Sequence, residues 1–211
     1  MNQHISKSMG RQQGFTLVEL GISMVLIASM VLAGFYVVKR IRTDAAVNAS
    51  IASASISMNQ ANASYAGMRN TTGASIDVLA AMNVWPKERH IITLNKSGTE
   101  VLSQTVSGIK GHFSGSKEMM LADGTGTGFI YHFYNIPTEA CLPLVKNLAL
   151  HPNALTIQVN KVKSEPTATA LWGGLEKSNV KNGTGALDMA AAAKQCTLAS
   201  QIHMAVQFDK S

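Results

Sequence analysis

The chain has 211 residues, of which 46% are hydrophobic and 14% are charged, and its formal net charge is +6. This length suits one domain with an appendage, and the composition can supply a hydrophobic core. The chain has 18 basic and 12 acidic residues, which is a mild excess of positive charge. Such an excess gives little support to a nucleic-acid partner, and no such partner is predicted.

The first predicted element is an apolar run of 24 residues, from Phe15 to Val38, in which Glu19 is the only ionisable side chain. As a helix it is about 36 Å long, compared with about 30 Å for the hydrocarbon core of a bilayer. A secretory signal is shorter and ends at a small-residue cleavage site, whereas this run ends at Lys39 and Arg40. The run is therefore predicted to span a membrane and to stay on the protein.

Glu19 is the unusual residue of this run. A carboxylate at the centre of a bilayer costs about 2.5 to 3.5 kcal/mol, so ionisable residues within membranes usually have a partner and a function. The alternative is that Glu19, only four residues after Phe15, lies at the membrane interface, where its side chain reaches water at little cost.

The segment GFTLVE, residues 14–19, resembles the processing site of a type IV prepilin. In that family a short polar and basic leader ends in Gly, an apolar residue becomes the new N-terminus, and Glu is the fifth residue of the mature chain. Here Lys7 and Arg11 supply the basic residues of the leader, and a long apolar helix follows the motif. The resemblance is strong over residues 7–42 and is architectural beyond them.

This resemblance implies four segments: a leader at 1–14, a transmembrane and assembly helix at 15–42, an amphipathic continuation at 43–72 and a globular head at 73–211. A prepilin peptidase would cut after Gly14 and methylate the new amine of Phe15, with Lys39 and everything after it outside the cytoplasm. Phe15 and Glu19 would then act in subunit assembly. Phe15 favours the type IVa group, whereas a mature length of 197 residues favours type IVb, and a type IVb-like or intermediate pilin is predicted.

The same resemblance implies the partners and the location. The partners are identical or homologous pilin subunits, the prepilin peptidase and methylase, and an assembly platform in the bacterial inner membrane. The protein would reside in that membrane before assembly and then in an extracellular pilus, or fimbrium, that serves adhesion, aggregation, motility or contact with DNA or cells. A minor pilin and a type II secretion pseudopilin are the alternatives, and no enzyme activity or cofactor is expected.

Helical spacing continues past Arg42, with apolar residues separated by three or four positions. This period predicts that the stem helix runs on into the head and packs against its core, up to an end marked by Gly67, Asn70 and Gly73. The apolar residues at this spacing form a seam along one face of the helix: Val47, Ile51, Ala54, Met58, Ala61, Tyr65 and Met68.

The remaining chain is predicted to form an antiparallel sheet with two short helices, so the fold class is α+β, the type IV pilin fold, with a long N-terminal helix packed on an antiparallel sheet. Alternation of apolar and polar residues in two of the strands indicates a sheet with one covered face. The predicted strands are 90–95, 128–134, 154–162 and 201–208, and the predicted helices are 138–150 and about 185–196.

Cys141 and Cys196 are the only cysteines of the chain. Since the resemblance places them outside the cytoplasm, a disulfide is predicted, similar to the C-terminal disulfide of type IV pilins. A metal site is a poor alternative, because neither thiol has a close Cys or His at ligand spacing.

Signals of catalysis or metal binding are weak. DGTGTG, residues 123–128, lacks the Lys-Ser/Thr ending of a phosphate-binding loop and the repeated ligands of a calcium loop, so a turn is predicted. The six histidines show no metal-binding spacing and are predicted to be ordinary surface or core residues. No catalytic, cofactor-binding or metal-binding residue is predicted.

Overall fold

The computed structural model of the protein describes residues 16–97, 100–123, 126–161, 179–183, 185–197 and 199–209. Its contacts divide the chain into two units, Met1–Arg42 and Thr43–Ser211. One helix, α1 (Leu17–Tyr65), contributes to both units. The predicted leader and Phe15 lie outside the described residues.

From Leu17 to Val38 α1 is largely apolar around its circumference, and every described residue from 16 to 42 is exposed. Leu, Ile, Val, Met and Ala dominate this part of the helix, and no proline interrupts it. By length and composition, α1 meets the requirement for a helix that crosses a membrane.

The second unit is an α+β head, as predicted, in which the C-terminal part of α1 packs on a seven-stranded antiparallel sheet. The described strands follow the order β1-β2-β3-β4-β7-β5-β6. They are β1 (His90–Ser97), β2 (Glu100–Lys110), β3 (Lys117–Ala122), β4 (Gly128–Pro137), β5 (Ala154–Lys161), β6 (Asn179–Lys181) and β7 (Gln201–Asp209). The helices are α2 (Ile76–Ala81), α3 (Thr138–Ala149) and α4 (Met189–Cys196), with a 3₁₀ turn at Lys87–Arg89.

The predicted seam of α1 faces the sheet. Five of its seven residues are buried, and the Tyr65 ring meets the ring of Phe129 edge to face at 5.6 Å. Ile51 is partly buried, whereas Met68 is 48% exposed because α1 ends at Tyr65. The buried seam residues are Val47, Ala54, Met58, Ala61 and Tyr65.

The prediction of a sheet with one covered face is wrong for the central strands. Every residue of β4 from 128 to 134 is buried, and so are Ile202 to Val206 of β7. Strands covered on both faces read as continuous apolar runs rather than as alternating patterns, and the sequence GFIYHFY is such a run.

Four elements were not predicted, namely α2, β2, β3 and β6. Most of β2 is exposed, and its described pairing with β3 is limited to Ile109 with Glu118 and Lys110 with Lys117. Such a strand lacks the apolar pattern of a buried one. The helix expected from residue 185 begins at Met189, because the Asp188 side chain accepts a hydrogen bond from Ala191 N and caps it.

A disulfide joins Cys141 of α3 to Cys196 of α4, with 5.6 Å between the two Cα atoms. Both residues are buried, at 0% and 3% exposure, within the same core as Leu144 and Val145. The bond closes a chain segment of 55 residues that includes β5 and β6.

Removing this bond is expected to destabilise the head. With 55 residues between the cysteines, a Cys141→Ser/Cys196→Ser variant should lose about 4 kcal/mol of unfolding free energy, because the unfolded chain regains loop entropy. Chemical denaturation of the full chain in detergent, followed by circular dichroism, measures the loss. Two thiols that react with maleimide in the unreduced wild-type protein would contradict the bond.

Candidate functional site

The first turn of α1 contains a reciprocal set of hydrogen bonds between Thr16 and Glu19. Thr16 N and Thr16 Oγ1 each donate to Glu19 Oε2 at 3.0 Å, and Glu19 N donates to Thr16 Oγ1 at 3.3 Å. This is a capping box, in which a Thr and a Glu three residues later satisfy each other's backbone N–H groups. The spacing Thr-x-x-Glu at residues 16–19 is the local signal of this capping box in the sequence.

The capping box gives Glu19 a function that does not need a second subunit. The first backbone N–H groups of a helix have no partner within the helix. In a hydrocarbon environment an unsatisfied N–H costs several kcal/mol, so a cap matters more there than in water. Glu19 therefore stabilises the start of its own helix, whatever else it contacts.

Two hydroxyl groups further along the same helix also bond internally. Ser23 Oγ donates to Glu19 O at 2.8 Å, and Ser29 Oγ donates to Leu26 O at 2.8 Å. Both residues are exposed, yet their hydroxyl protons have partners within the helix. This pattern suits an environment without water.

The predicted site residues differ in what the structure describes of them. Gly14 and Phe15, the predicted cleavage and methylation residues, lie outside the described part of the chain. Glu19 is exposed on the first turn of α1 and lies in the first unit. Cys141 and Cys196 are bonded within the second unit and form a structural element of the head.

A buried polar cluster connects α1 to the sheet within the head. Arg89 forms a salt bridge with Glu118, with 3.0 Å between Nη2 and Oε2, and the Glu118 side chain is only 2% exposed. The hydroxyl group of Tyr131 donates to Glu118 Oε2 at 2.6 Å, and Ser53 Oγ of α1 donates to the same oxygen at 3.2 Å. Arg89 Nη1 in turn donates to Ser53 Oγ at 2.8 Å.

This cluster, Ser53, Arg89, Glu118 and Tyr131, makes the position of α1 on the sheet specific. Burial, and then the charge of Glu118, raise the pKa of Tyr131 well above its ordinary value, so its hydroxyl group stays protonated and donates. A buried charge is tolerated only when its partners are in place. A shift of α1 along the sheet would remove Ser53 from both Arg89 and Glu118.

Two histidines lie together on adjacent strands of the sheet. His132 of β4 and His203 of β7 are 0% and 4% exposed, and His132 Nδ1 lies 3.3 Å from His203 Nε2. The His203 ring also stacks on Tyr134, with 4.4 Å between centroids. The two histidines are 71 residues apart in the chain, so no local spacing could have revealed the pair.

The environment of this pair favours neutral imidazoles. Burial, and then the neighbouring His203, lower the pKa of His132 to about 3, and burial lowers the pKa of His203 to about 4. Both rings are therefore uncharged in the folded head at neutral pH. Among the described residues no group of three or more His, Cys, Asp or Glu could hold a metal ion.

The head is expected to lose stability in acid because of this pair. An unfolded imidazole has a pKa of about 6.5. The unfolded chain therefore binds more protons below that pH, and stability falls as pH drops from about 6.5 through the folded pKa values of about 4 and about 3. Urea unfolding at several pH values should give a steeper fall for the wild type than for a His132→Gln/His203→Gln variant. Equal slopes would contradict this prediction.

The Gly-rich segment after β3 forms a turn where it is described. Gly126 N donates to Asp123 Oδ1 at 2.8 Å, and Thr127 Oγ1 donates to Asp123 Oδ2 at 2.9 Å. Gly126 has a φ of +81°, which favours glycine. The Asp123 carboxylate thus organises the turn that precedes β4.

No family model and no curated protein matches the chain. Among solved structures it is similar to a type IV b pilin from Salmonella typhi, at 11% sequence identity over 73% of this chain and 94% of that chain, with a TM-score of 0.42.

Proposed function

We propose that the chain is a pilin-like subunit that polymerises through its apolar N-terminal helix into an extracellular type IV pilus. The proposal rests on the difference in burial between the N-terminal and C-terminal parts of α1. Residues 16–42 are exposed and largely apolar, whereas the seam from Val47 to Tyr65 is mostly buried in the head. A helix with these two halves fits a subunit that is held in a membrane and then transferred into a filament of similar helices.

The sequence around the start of α1 supports this function over that of a simple membrane anchor. Gly14, Phe15 and Glu19 lie in the register of a type IV prepilin, directly before and within the apolar run. A major pilin, a minor pilin that acts as initiator or tip adhesin, and a pseudopilin share this feature. The Cys141–Cys196 bond and the long head favour a pilin over a pseudopilin. The partners proposed are other pilin subunits, the prepilin peptidase and the assembly platform of the inner membrane.

The proposed processing step removes residues 1–14 and leaves a methylated amine on Phe15. Gly14 has no side chain, so the peptidase can approach the backbone closely before the apolar helix begins.

Gly14→Val should block this cleavage, because a branched side chain obstructs access to the bond. Intact-mass spectrometry of membrane fractions should find uncut precursor in the variant and a mature chain starting at methylated Phe15 in the wild type. Gly21→Val, placed within the apolar run, is the matched control and should be processed normally. A mature N-terminus after residue 38 would contradict the proposal.

In the assembled filament, Glu19 of one subunit is proposed to pair with the amine of Phe15 on a neighbouring subunit. A single charge in low-dielectric surroundings is costly, whereas a pair with hydrogen bonds is much less so. The pair would set the axial register between subunits, because other offsets leave both charges unpaired.

Substitution of Glu19 separates this pairing from helix capping. Glu19→Gln keeps an acceptor for Thr16, since Gln also serves in a capping box, but it removes the charge. Glu19→Ala removes both. If charge pairing drives assembly, both variants should insert and keep the head fold but give few or no filaments in electron micrographs of sheared cell surfaces.

The other outcomes of this experiment are equally informative. Normal filaments from Glu19→Gln with none from Glu19→Ala would assign Glu19 to capping and reject the pairing. Normal filaments from both variants would reject any assembly function of Glu19 in a major pilin. Copy numbers in sheared filaments, measured by mass spectrometry, distinguish a major from a minor pilin.

A further inference from the structure

A group of basic residues follows the apolar stretch of α1 directly. Lys39, Arg40 and Arg42 are all exposed and lie within about one turn of the helix. Tyr36, one turn earlier, is 69% exposed. An aromatic residue followed by cations is the usual arrangement at a membrane–water interface.

The three cations do not share one face of the helix. Each residue of an α-helix is rotated by about 100° from the one before it, so Lys39 and Arg42 lie about 60° apart, whereas Arg40 points about 160° away from Arg42. A protein partner on one side would contact only some of them. Lipid headgroups surround a membrane-spanning helix and can contact all three.

The length of the helix between its charged groups matches a bilayer. Arg40 lies 21 residues after Glu19 on α1, which is a rise of about 32 Å at 1.5 Å per residue. The hydrocarbon core is about 30 Å thick. When Arg40 lies at one interface, Glu19 therefore lies close to the other.

We infer that Lys39, Arg40 and Arg42 bind the phosphate groups of anionic phospholipids in the leaflet on the C-terminal side of the span. This contact holds α1 at a depth that keeps Glu19 at the opposite interface before assembly. Guanidinium groups suit this partner because they form paired hydrogen bonds with phosphate oxygens. The inference rests on the proposed function only in treating α1 as a membrane-spanning helix.

Lipid selectivity tests the contact. The full chain is reconstituted in phosphatidylcholine vesicles that contain a trace of spin-labelled phosphatidylglycerol or, separately, spin-labelled phosphatidylcholine, and electron paramagnetic resonance gives the relative association of each. The wild type should prefer phosphatidylglycerol at low salt. Arg40→Gln and Arg42→Gln should each reduce this preference about fivefold, which corresponds to about 1 kcal/mol per basic residue.

A matched control and a contrary outcome make this test decisive. Arg69→Gln removes an exposed arginine after the end of α1 and should leave the selectivity unchanged. Equal selectivity in the wild type and the Arg40→Gln/Arg42→Gln variant would overturn the inference. If that variant kept the selectivity but lost filaments, the cations would belong to a protein contact instead, which also overturns it.

The depth of the helix provides a second measurement. Ser29 lies midway between Glu19 and Arg40, and the two native cysteines are bonded, so Ser29→Cys offers one site for a spin label. The label should lie at the bilayer centre in vesicles with phosphatidylglycerol, and its depth should shift in the double arginine variant. In pure phosphatidylcholine the two proteins should show the same depth. If the label in the otherwise wild-type protein lay at the same depth in vesicles with and without phosphatidylglycerol, the anchoring would be overturned.

The two proposals fail in different ways. A Ser29 label exposed to water in every vesicle would mean that α1 does not insert, and both proposals would be overturned. Intact lipid selectivity in a chain that never forms filaments would overturn the proposed function alone.

Discussion

The apolar surface of α1 between residues 16 and 42 is the constraint on which the other features depend. Its large apolar side chains are 46–88% exposed, with Leu17, Met30 and Phe35 among the most exposed. Exposure to water costs about 25 cal/mol for each Å² of apolar surface. A bilayer or a bundle of similar helices removes that cost. The internal bonds of Ser23 and Ser29 are consistent with either environment, because neither hydroxyl proton needs water.

The same helix changes its surface where it enters the second unit. Small residues such as Ala54 and Ala61 are fully buried there and permit close approach of the sheet, and Ser53 reaches the Arg89–Glu118 pair. Apolar packing alone would tolerate small shifts of the helix. The polar cluster does not, because a shift of α1 would take the Ser53 hydroxyl group away from both Arg89 and Glu118 and leave the buried Glu118 carboxylate with fewer partners. Apolar packing thus stabilises the contact between α1 and the sheet, and the polar cluster fixes the position of α1 along the sheet.

The sequence was sufficient for the elements with strong local signals and insufficient for contacts made across the sheet. Helical spacing predicted the seam of α1, and the helix predicted over 138–150 agrees with α3 at Thr138–Ala149. Strand β2 was missed because it is mostly exposed and polar. The expectation of one covered face rested on alternation in β5 and β7, whereas the central strands β4 and β7 are buried on both faces. The contacts of His132 with His203 and of Arg89 with Glu118 join residues that are far apart in the chain. No local pattern in the sequence predicts them, because they depend on how the elements of the head are arranged.

Glu19 has a hydrogen-bond partner within its own subunit and a proposed partner in a neighbouring subunit. Within one subunit its carboxylate already accepts two hydrogen bonds from Thr16, so it is not a bare charge before assembly. Pairing with an amine of a neighbour would replace or share these bonds, and the net gain would be smaller than that of neutralising an isolated charge. The main driving force for assembly would then be burial of the apolar stem, which is nearly independent of axial offset. A charged pair is strongly dependent on that offset, and so the carboxylate would select among many packed arrangements the one that a regular filament requires.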